Sequence, residues 1–396
     1  MRKTTSHSSS LISNAERVNR ERYNDMFSKN SIRNSLKKSN LPKAFGRSKA
    51  LAISTLPAET LPLVSVLVVN YNGKEYLEKC LHSILSCEYQ NIEIIVVDNG
   101  SKDGSDSVLN NFERENSHFH TIFLDKNYGP AYARNRGVEL AKGKYIAFLD
   151  NDTEPTRDWL IESVKVMESN SKIGACQCKL LLLMDKQKFD YAGDYLSQFG
   201  FLIQKADFNE VDHGQYDYVD EVLSAKSAAM VILKKVFVEV GGFDEDYFMY
   251  LEETDLCWRV WLNGYRVVFI PLSIVYHAFA GSSKIDANIE YRSWYHGSKN
   301  YVMTLIKDLG AIDLLRILPL HIILWVGMVI FFFSRRKWKK GIYIVDGLLY
   351  CFFHFRELTR KRRRLQRKVM SSNIEKSIMR KASIKYFLYK FRRGRI

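Results

Sequence analysis

Two aspartates one residue apart follow a short apolar run near the middle of the chain. The run Tyr145–Asp150 (YIAFLD) has the length and composition of a buried strand, and Asn151 and Asp152 follow it directly. Carboxylate oxygens are hard ligands, so two of them at this spacing suit Mg²⁺ or Mn²⁺, and either ion can also bind a diphosphate. Acidic turns after strands also occur in proteins that bind no metal. The triplet alone leaves both interpretations open.

A further aspartate, Asp98, ends a second apolar run, Ile92–Asp98 (IEIIVVD). A carboxylate here can accept a hydrogen bond from the imide N–H of uracil or thymine. The alternative is local, because the glycine-rich segment that follows can cap a helix through Ser101 or Asp103. Both interpretations can hold, since they use different residues.

Two arginines, Arg134 and Arg136, lie in the first turns of a helix that follows a glycine-bounded turn, within Asn127–Gly137 (NYGPAYARNRG). An arginine near the ligand-binding edge of a sheet can neutralise phosphate. We expect one of the two side chains to face inward and the other to be solvated.

Acidic residues and one histidine complete the set of candidate groups. Glu252, Glu253 and Asp255 open a predicted helix, whose N-terminus favours negative charge, so a purely structural role is an open alternative. The functional alternative is that one carboxylate accepts the proton of a substrate hydroxyl. His277 follows a strand-like run, and a lone histidine there is usually structural. Together with the acidic triplet, it becomes a candidate third metal ligand.

The elements that must position these residues are predicted from hydrophobic periodicity. Short, continuously apolar runs alternate with helical patterns, which is typical of a parallel sheet covered on both faces. Ligands bind at the carboxyl ends of such strands, where Asn70, Asp98 and Asp150 lie. The predicted strands are Val64–Asn70, Ile92–Asp98, Thr121–Leu124, Tyr145–Asp150, Gly174–Leu183 and Ala229–Leu233, and the predicted helices are Tyr76–Ser86, Tyr132–Ala141, Arg157–Glu168 and Glu253–Asn263.

Charge divides the 396 residues into an acidic body and two basic flanks. Residues 1–50 contain 12 basic and 3 acidic residues, and residues 335–396 contain 21 and 3, which leaves 26 basic and 38 acidic residues between them. A nucleic-acid enzyme would carry its positive charge on the folded face that grips phosphates, so we expect no nucleic-acid partner. Basic flanks fit an anionic membrane surface at least as well.

Two apolar runs near the C-terminus are too short to be clear membrane spans. Ile317–Phe333 has 17 residues, includes Pro319 and His321, and would extend about 26 Å against a bilayer core of about 30 Å. Ile342–Phe355 is shorter and contains Asp346. We expect helices lying in the membrane interface, with a re-entrant or spanning hairpin and the core helices of a soluble domain as alternatives.

Six cysteines show no paired framework or zinc-ligand spacing, so we expect reduced thiols in a cytosolic compartment. We predict three regions: residues 1–61 as a basic, mostly disordered extension, 62–300 as an α/β domain, and 301–396 as helices with a basic tail. The oligomeric state is left open.

In this order, the motifs resemble family 2 glycosyltransferases of the GT-A type. The resemblance covers roughly Pro62 to Tyr301, and the basic, apolar C-terminus is similar to that of the rhamnosyltransferase-like branch. The residues that carry it are Val66–Asn72 (VLVVNYN), Asp98–Ser105 (DNGSKDGS), Arg134-Asn135, Asp150–Asp152 (DND), Gly241–Asp244 (GGFD), Glu252–Arg259 (EETDLCWR) and His277. The fold it implies is a Rossmann-like, mostly parallel mixed sheet flanked by helices, with a C-terminal helical region that associates with a membrane.

The resemblance also implies a role for each matching position. The acidic triplet matches the DXD motif, in which Asp150 and Asp152 hold the nucleotide-sugar diphosphate through Mg²⁺ or Mn²⁺. Asp150 and Asn151 are also expected to contact the nucleotide-sugar. His277 matches a histidine that completes the metal shell in part of the family. The expected nucleotide contacts are Asn70, Tyr71, Asp98 and Arg134.

The catalytic base is the point at which this chain departs from the family pattern. Glu253 occupies the base position, where the family usually has aspartate, and Asp255 is the substitute if geometry forbids Glu253.

The implied reaction is inverting transfer of a hexosyl or deoxyhexosyl group from a UDP- or dTDP-type donor. The implied acceptor is a hydroxyl of a lipid-linked or cell-surface glycan, reached from the cytoplasmic face of the membrane by a peripheral or monotopic enzyme. The alternatives are a catalytically silent nucleotide-sugar-binding module and a membrane- or nucleic-acid-binding protein. A dinucleotide-dependent dehydrogenase is disfavoured, since the turn after the first strand has only one glycine, Gly73.

Overall fold

The structure is a computed structural model, and it describes residues 61–278, 289–365, 374, 377–383, 386 and 387. The predicted N-terminal extension, apart from Leu61, and the end of the basic tail lie outside the described residues.

The described residues form strands and helices that alternate in the first half and become mainly helical in the second. The strands are β1 (Val64–Asn70), β2 (Ile92–Asp98), β3 (Phe119–Phe123), β4 (Tyr145–Asp150), β5 (Thr153–Pro155), β6 (Ile173–Leu182), β7 (Asp185–Tyr191), β8 (Asp194–Ser197), β9 (Leu202–Gln204), β10 (Asp220–Glu221), β11 (Ala229–Leu233), β12 (Arg266–His277) and β13 (Met379–Arg380). The helices are α1 (Lys74–Leu85), α2 (Ser105–Glu115), α3 (Pro130–Leu140), α4 (Trp159–Ser169), α5 (Lys234–Glu239), α6 (Glu252–Leu262), α7 (Ile289–Asp308), α8 (Ala311–Ser334), α9 (Trp338–Phe353) and α10 (Phe355–Arg364), and a 3₁₀ turn lies at Glu245–Tyr247.

The main sheet is mixed, with a parallel half that contains the predicted strands. Its order is β10-β12-β6-β11-β4-β1-β2-β3. Strands β4, β1, β2 and β3 run parallel, whereas β11 is antiparallel to both of its neighbours. The predicted α/β architecture is confirmed, and the bounds of β1, β2, β4 and β11 are those read from the sequence.

Continuous apolar runs form these central strands because both faces of the sheet are covered. The side chains of Val66, Leu67 and Val68 in β1 are fully buried. Helix α3 packs on β1 and β2, and Gly137 allows the close approach, because a Cβ atom there would lie 2.4 Å from Leu67 Cδ1. All six cysteines are buried free thiols.

The C-terminal helices pack onto the α/β unit and onto one another. Helix α7 runs across residue 300, the predicted domain boundary, and contacts α6, α8, α9 and α10. Helix α8 has 24 residues and is longer than the 17-residue apolar run suggested, because the helix continues through flanking polar positions and through Pro319. Within the described residues, α8 is the one helix whose length and hydropathy suffice to cross a membrane.

Candidate active site

Strand register brings the candidate residues to one edge of the sheet. Asn70 at the end of β1 pairs with Asp98 at the end of β2, and the neighbouring Val69 pairs with Asp150 at the end of β4. Strand β11 runs the opposite way, so it begins at this same edge, where Ala229 pairs with Leu149. Residues far apart in the chain therefore lie around the carboxyl ends of the parallel strands.

The two aspartates of the triplet and His277 form a cluster suited to a metal ion. Each of Asp150, Asp152 and His277 offers a ligand atom, and these atoms lie within 4.8 Å of one another. His277 reaches the cluster because the end of β12 pairs with β5, opposite Thr153, and His277 Nε2 lies 3.1 Å from Asp152 Oδ1. Two carboxylates and an imidazole form a donor set that fits Mn²⁺ or Mg²⁺.

A buried aspartate behind His277 was not predicted from the sequence. Asp190, near the end of β7, places Oδ2 2.8 Å from His277 Nδ1, and its side chain is fully buried. Metal-binding histidines commonly use their second nitrogen in this way, and the contact orients the ring. Burial disfavours an imidazolium, yet Asp152 and Asp190 raise the pKa of His277 to about 10.

Short polar side chains at, and just after, the ends of β1, β2 and β4 form a hydrogen-bonded network. Asn70 Nδ2 donates to Asp98 Oδ2 at 2.8 Å, and Asn151 Nδ2 donates to Asn70 Oδ1 at 2.6 Å. The Ser101 N–H donates to Asp98 Oδ1 at 2.8 Å, and the Tyr71 side chain beside them is partly exposed. These contacts fix the Asp98 carboxylate while leaving lone pairs on its oxygens for a further donor.

The helix cap expected at Ser101 or Asp103 lies instead at Gly104, without a side-chain cap bond, although Asp103 holds the turn before α2. Asp103 accepts hydrogen bonds from the backbone N–H groups of Ser105 and Lys74, so this residue ties the turn to the start of α1. Asp98 and Asp103 therefore have different partners: Asp98 accepts from Asn70 and Ser101, and Asp103 accepts from Ser105 and Lys74.

Arg134 connects the Asp150–Asp152–His277 cluster to the first turn of α6. It is buried, with Nη2 3.0 Å from Asp150 Oδ1 and Nη1 2.9 Å from Glu252 Oε1. Arg136, two residues later, lies on the outer side of α3 and pairs with Glu139 at 2.8 Å. Burial raises the pKa of Asp150, although the Arg134 charge opposes this shift.

The three acids of α6 have three different surroundings. Glu252 is buried against Arg134, and burial together with repulsion from Glu253 raises its pKa to about 8. Glu253 is partly exposed, and its Oε1 accepts hydrogen bonds from the Ser227 hydroxyl at 2.7 Å and the Ser227 N–H at 3.3 Å. Ser227 lies just before β11, so this contact holds Glu253 near the end of β4, and the Glu253 charge influences the ionisation of both Arg134 and Asp150.

Asp255 does not share this cleft. It is fully buried, its Oδ2 lies 2.6 Å from Arg259 Nη2, and its Oδ1 pairs with Lys307. Helical residues two positions apart point in different directions, so Glu253 and Asp255 cannot face the same substrate. Glu253, and not Asp255, therefore lies at the sheet edge that contains Asp150, Asp152 and His277.

Comparison with known proteins identifies the family. The sequence model described as "Glycosyl transferase family 2" matches residues 65–212, and that of "Glycosyl transferase family group 2" matches residues 145–358, which is more than half of the chain. The chain belongs to glycosyltransferase family 2. The second match continues through α7, α8 and α9, so these helices belong to the family pattern along with the sheet.

This family 2 glycosyltransferase has curated relatives in bacteria. It is 38% identical over 110 residues to TuaG, a glycosyltransferase of Bacillus subtilis strain 168 assigned to teichuronic acid biosynthesis, covering 28% of this chain and 44% of TuaG. It is 27% identical over 217 residues to the poly-β-1,6-N-acetyl-D-glucosamine synthase of Staphylococcus aureus strain COL, covering 53% of this chain and 48% of the synthase. The chain thus spans less than half the length of either relative.

A solved structure supports the fold of this family 2 glycosyltransferase. GalNAc-T7, crystallised with UDP, GalNAc and Mn²⁺, superposes with a TM-score of 0.51 at 17% identity, over 68% of this chain and 57% of that chain. At this identity the similarity establishes the GT-A-like fold alone.

Two side chains of the site escaped the sequence analysis. Ser227 belongs to none of the motifs that carry the family resemblance. Asp190 lies in a polar strand, Asp185–Tyr191 (DKQKFDY), whose composition gives no signal of a functional role. Both act through contacts between elements that are distant in the chain, which no local pattern reveals.

Proposed function

We propose that this protein is a metal-dependent, inverting glycosyltransferase that uses a nucleotide-sugar donor of the UDP or dTDP type. The acceptor we propose is a hydroxyl group of a lipid-linked or cell-surface glycan, and the transferred group a hexosyl or deoxyhexosyl unit. The observation that carries the proposal is the cluster of Asp150, Asp152 and His277 at the sheet edge, with the Glu253 carboxylate held nearby.

In this proposal, the chain's own residues hold the donor on one side of the sheet edge. Asp98 and Asn70 hydrogen-bond the pyrimidine base, and Tyr71 lies against the nucleoside. Asp150, Asp152 and His277 hold Mn²⁺ or Mg²⁺, which supplies charge neutralisation for the departing diphosphate. Arg134 adds a second positive charge and fixes the orientation of Asp150.

Glu253 is the proposed general base. Ser227 donates two hydrogen bonds to Oε1, so the second oxygen can accept the proton of the acceptor hydroxyl. Attack on the face of the sugar opposite the diphosphate inverts the anomeric centre in a single displacement. The longer glutamate side chain, in place of the family's usual aspartate, is compatible with this role because Ser227 restricts its rotamers.

The experiment that tests this function is a panel of UDP-, dTDP- and GDP-sugars, assayed for hydrolysis and for protection against thermal unfolding with and without Mn²⁺. We expect at least one UDP- or dTDP-sugar to be consumed in a metal-dependent reaction that Asp152→Ala abolishes. Protection without turnover by any sugar would instead identify a silent binding module. Turnover by Asp152→Ala that needs no metal would contradict the metal assignment.

We further propose that the C-terminal helices lie in the plane of an anionic membrane surface, on its cytoplasmic side. One stripe of α8 faces the folded unit, and the opposite stripe presents apolar side chains to the outside. The buried stripe is Ile317, His321, Trp325, Met328 and Phe332, and the exposed stripe is Ile312, Leu315, Ile323, Val326 and Ile330.

Polar contacts along the buried stripe support an in-plane helix over a spanning one. His321 Nδ1 lies 2.9 Å from the Phe199 carbonyl oxygen, and Trp325 Nε1 donates to His321 Nε2 at 2.9 Å. These contacts hold the middle of α8 against the loop before β9. Helix α9 also exposes large apolar side chains, Ile342, Leu349, Phe352 and Phe353. The exposed basic residues Arg335, Arg336 and Lys337 lie between the two helices.

Flotation with anionic vesicles tests the membrane proposal. We expect the full chain to float with phosphatidylglycerol vesicles, and the double variant Ile323→Asp/Phe352→Asp to remain in the dense fraction. Val238 is a similarly exposed apolar residue on α5, outside α8 and α9, so Val238→Asp is the control and should float. Equal flotation of both variants would contradict the assignment of this surface.

A further inference from the structure

The backbone just before the proposed base adopts conformations that L-amino acids rarely adopt. Phe248, Tyr250 and Leu251 have φ values of 60°, 66° and 66°. None of them is glycine, so the conformation must be imposed by surrounding contacts. Leu251 immediately precedes α6, and its backbone therefore sets the direction in which Glu252 and Glu253 leave the segment.

One side chain from α7 supplies the contacts that this conformation needs. Asn300 is fully buried, and its Nδ2 atom lies 3.1, 2.8 and 2.8 Å from the carbonyl oxygens of Tyr247, Met249 and Tyr250. Three carbonyl oxygens that converge on one buried point repel each other unless a donor lies among them. An amide N–H₂ group fits this point, whereas an acceptor does not.

Two lysines on the same helix hold the start of the segment. Lys299 Nζ donates to the Asp246 carbonyl oxygen at 2.6 Å, and Lys307 Nζ lies 2.6 Å from Asp244 Oδ2. Helix α7 thus contacts the segment from residue 244 to residue 250 through three side chains, and it also contacts α8, α9 and α10.

We propose that Asn300 is a positioning residue for the active site. It holds the 247–251 segment with three of its residues at positive φ, and the segment directs the first turn of α6 so that Glu252 reaches Arg134 and Glu253 reaches Ser227. The catalytic part of this inference rests on the proposed function of Glu253. Asn300 lies on α7, which contacts α8 and α9, so it also connects the helices proposed to lie on the membrane with the active site.

The structural part is tested by hydrogen exchange on the full-length protein. Asn300→Ala and Asn300→Asp should each raise exchange at least tenfold in peptides covering residues 247–256, with strands β1 and β2 unchanged. Asn300→Asp is close to isosteric but brings an acceptor to the carbonyl oxygens, so it separates loss of the donor from loss of volume. Ser298→Ala is the matched control, since Ser298 is equally buried on α7 but its hydroxyl contacts the Ile344 carbonyl of α9.

The catalytic part is tested with the sugar nucleotide that the panel identifies. Both Asn300 variants should lose about 10- to 100-fold in kcat, because a displacement of about 1 Å at a reacting group can have effects of that size. The rise in KM for the donor should be smaller than the fall in kcat, since Asn70, Asp98 and Asp150 end strands β1, β2 and β4, and Arg134 is the proposed donor contact that pairs with α6. Ser298→Ala should retain both constants.

Different failures have different meanings. If no sugar nucleotide is consumed by the wild-type protein, the proposed function fails, and hydrogen exchange still decides the structural claim. If residues 247–256 exchange equally in the Asn300 variants and the wild type, or if Ser298→Ala loosens them as much, the positioning role is refuted. An unchanged kcat in an active enzyme carrying Asn300→Asp would also refute it.

Discussion

Binding of Mn²⁺ to the Asp150–Asp152–His277 cluster should release about one proton at pH 7. A histidine coordinates a metal only as the neutral imidazole. In the metal-free protein, Asp152 and Asp190 outweigh the effect of burial and raise the pKa of His277 to about 10. The incoming ion must therefore displace a proton from His277.

The size of the effect follows from this pKa. With a value of about 10, about one His277 side chain in a thousand is neutral at pH 7, so nearly one proton leaves for each ion bound. An ordinary histidine, with a pKa of about 6.5, would be about one quarter protonated and would release about 0.2 proton. The apparent association constant should also rise about tenfold per pH unit between about pH 6 and about pH 8, because protons compete with the metal throughout that range.

Calorimetric titration with Mn²⁺ in buffers of different ionisation enthalpy measures the proton release directly. His277→Gln is the control, since glutamine offers a neutral oxygen ligand and should remove the released proton along with the steep pH dependence. A release below about 0.3 proton by the wild type at pH 7 would refute the reasoning, because His277 would then be neutral before binding or would not be a ligand.

Three further predictions concern neighbouring groups. Asp190→Asn should move the pH dependence of Mn²⁺ binding in the same titration to lower pH, because Asp190 helps to raise the pKa of His277; an unchanged pH dependence would show that Asp190 does not act on the site. Glu253→Gln should lower kcat about 10²- to 10⁴-fold while protection by UDP and Mn²⁺ persists, and near-normal turnover would exclude Glu253 as the base. Burial opposes ionisation of Asp244, yet Lys307 and Lys361 hold its pKa below the ordinary range, so its stabilising contribution is complete above about pH 4 and is lost as the pH falls through the lower folded-state value. Lys361→Met should therefore move the acid-unfolding midpoint to higher pH, followed by circular dichroism, whereas Lys339→Met, on an exposed site, should leave it in place.

The bounds of the central strands could be predicted closely because strands buried on both faces are continuous runs of apolar residues. Val64–Asn70, Ile92–Asp98 and Tyr145–Asp150 are apolar on both faces and end in polar residues, and these ends became the edge that carries the candidate site. The same logic placed Asn70, Asp98 and Asp150 together, since parallel strands end at a common edge.

Contacts between distant elements could not be predicted in this way. Asp190 meets His277 because β7 and β12 both pair with β6, and Asn300 meets the 247–250 segment because α7 folds back over it. Neither position has a local signature. The separate environments of Glu253 and Asp255 likewise depend on Ser227 and Lys307, which lie 26 residues before and 52 residues after them.

The length of α8 was underestimated for a different reason. An apolar run marks only the residues that avoid charge, whereas the helix from Ala311 to Ser334 also includes Asp313 and Arg316 at its exposed start. Pro319 lies inside the helix and does not end it. The division of α8 into a buried stripe and an exposed stripe became evident only from its packing in the structure.

Thermal unfolding with UDP or dTDP, in the presence and absence of Mn²⁺, tests the central claim most directly. We expect the nucleotide to raise Tm strongly only when Mn²⁺ is present, and Asp152→Ala to abolish that increase, measured relative to the Tm of the same variant without ligands. An equal increase without the metal, or an undiminished one in Asp152→Ala, would contradict the assignment of Asp150, Asp152 and His277 as the ion-binding site.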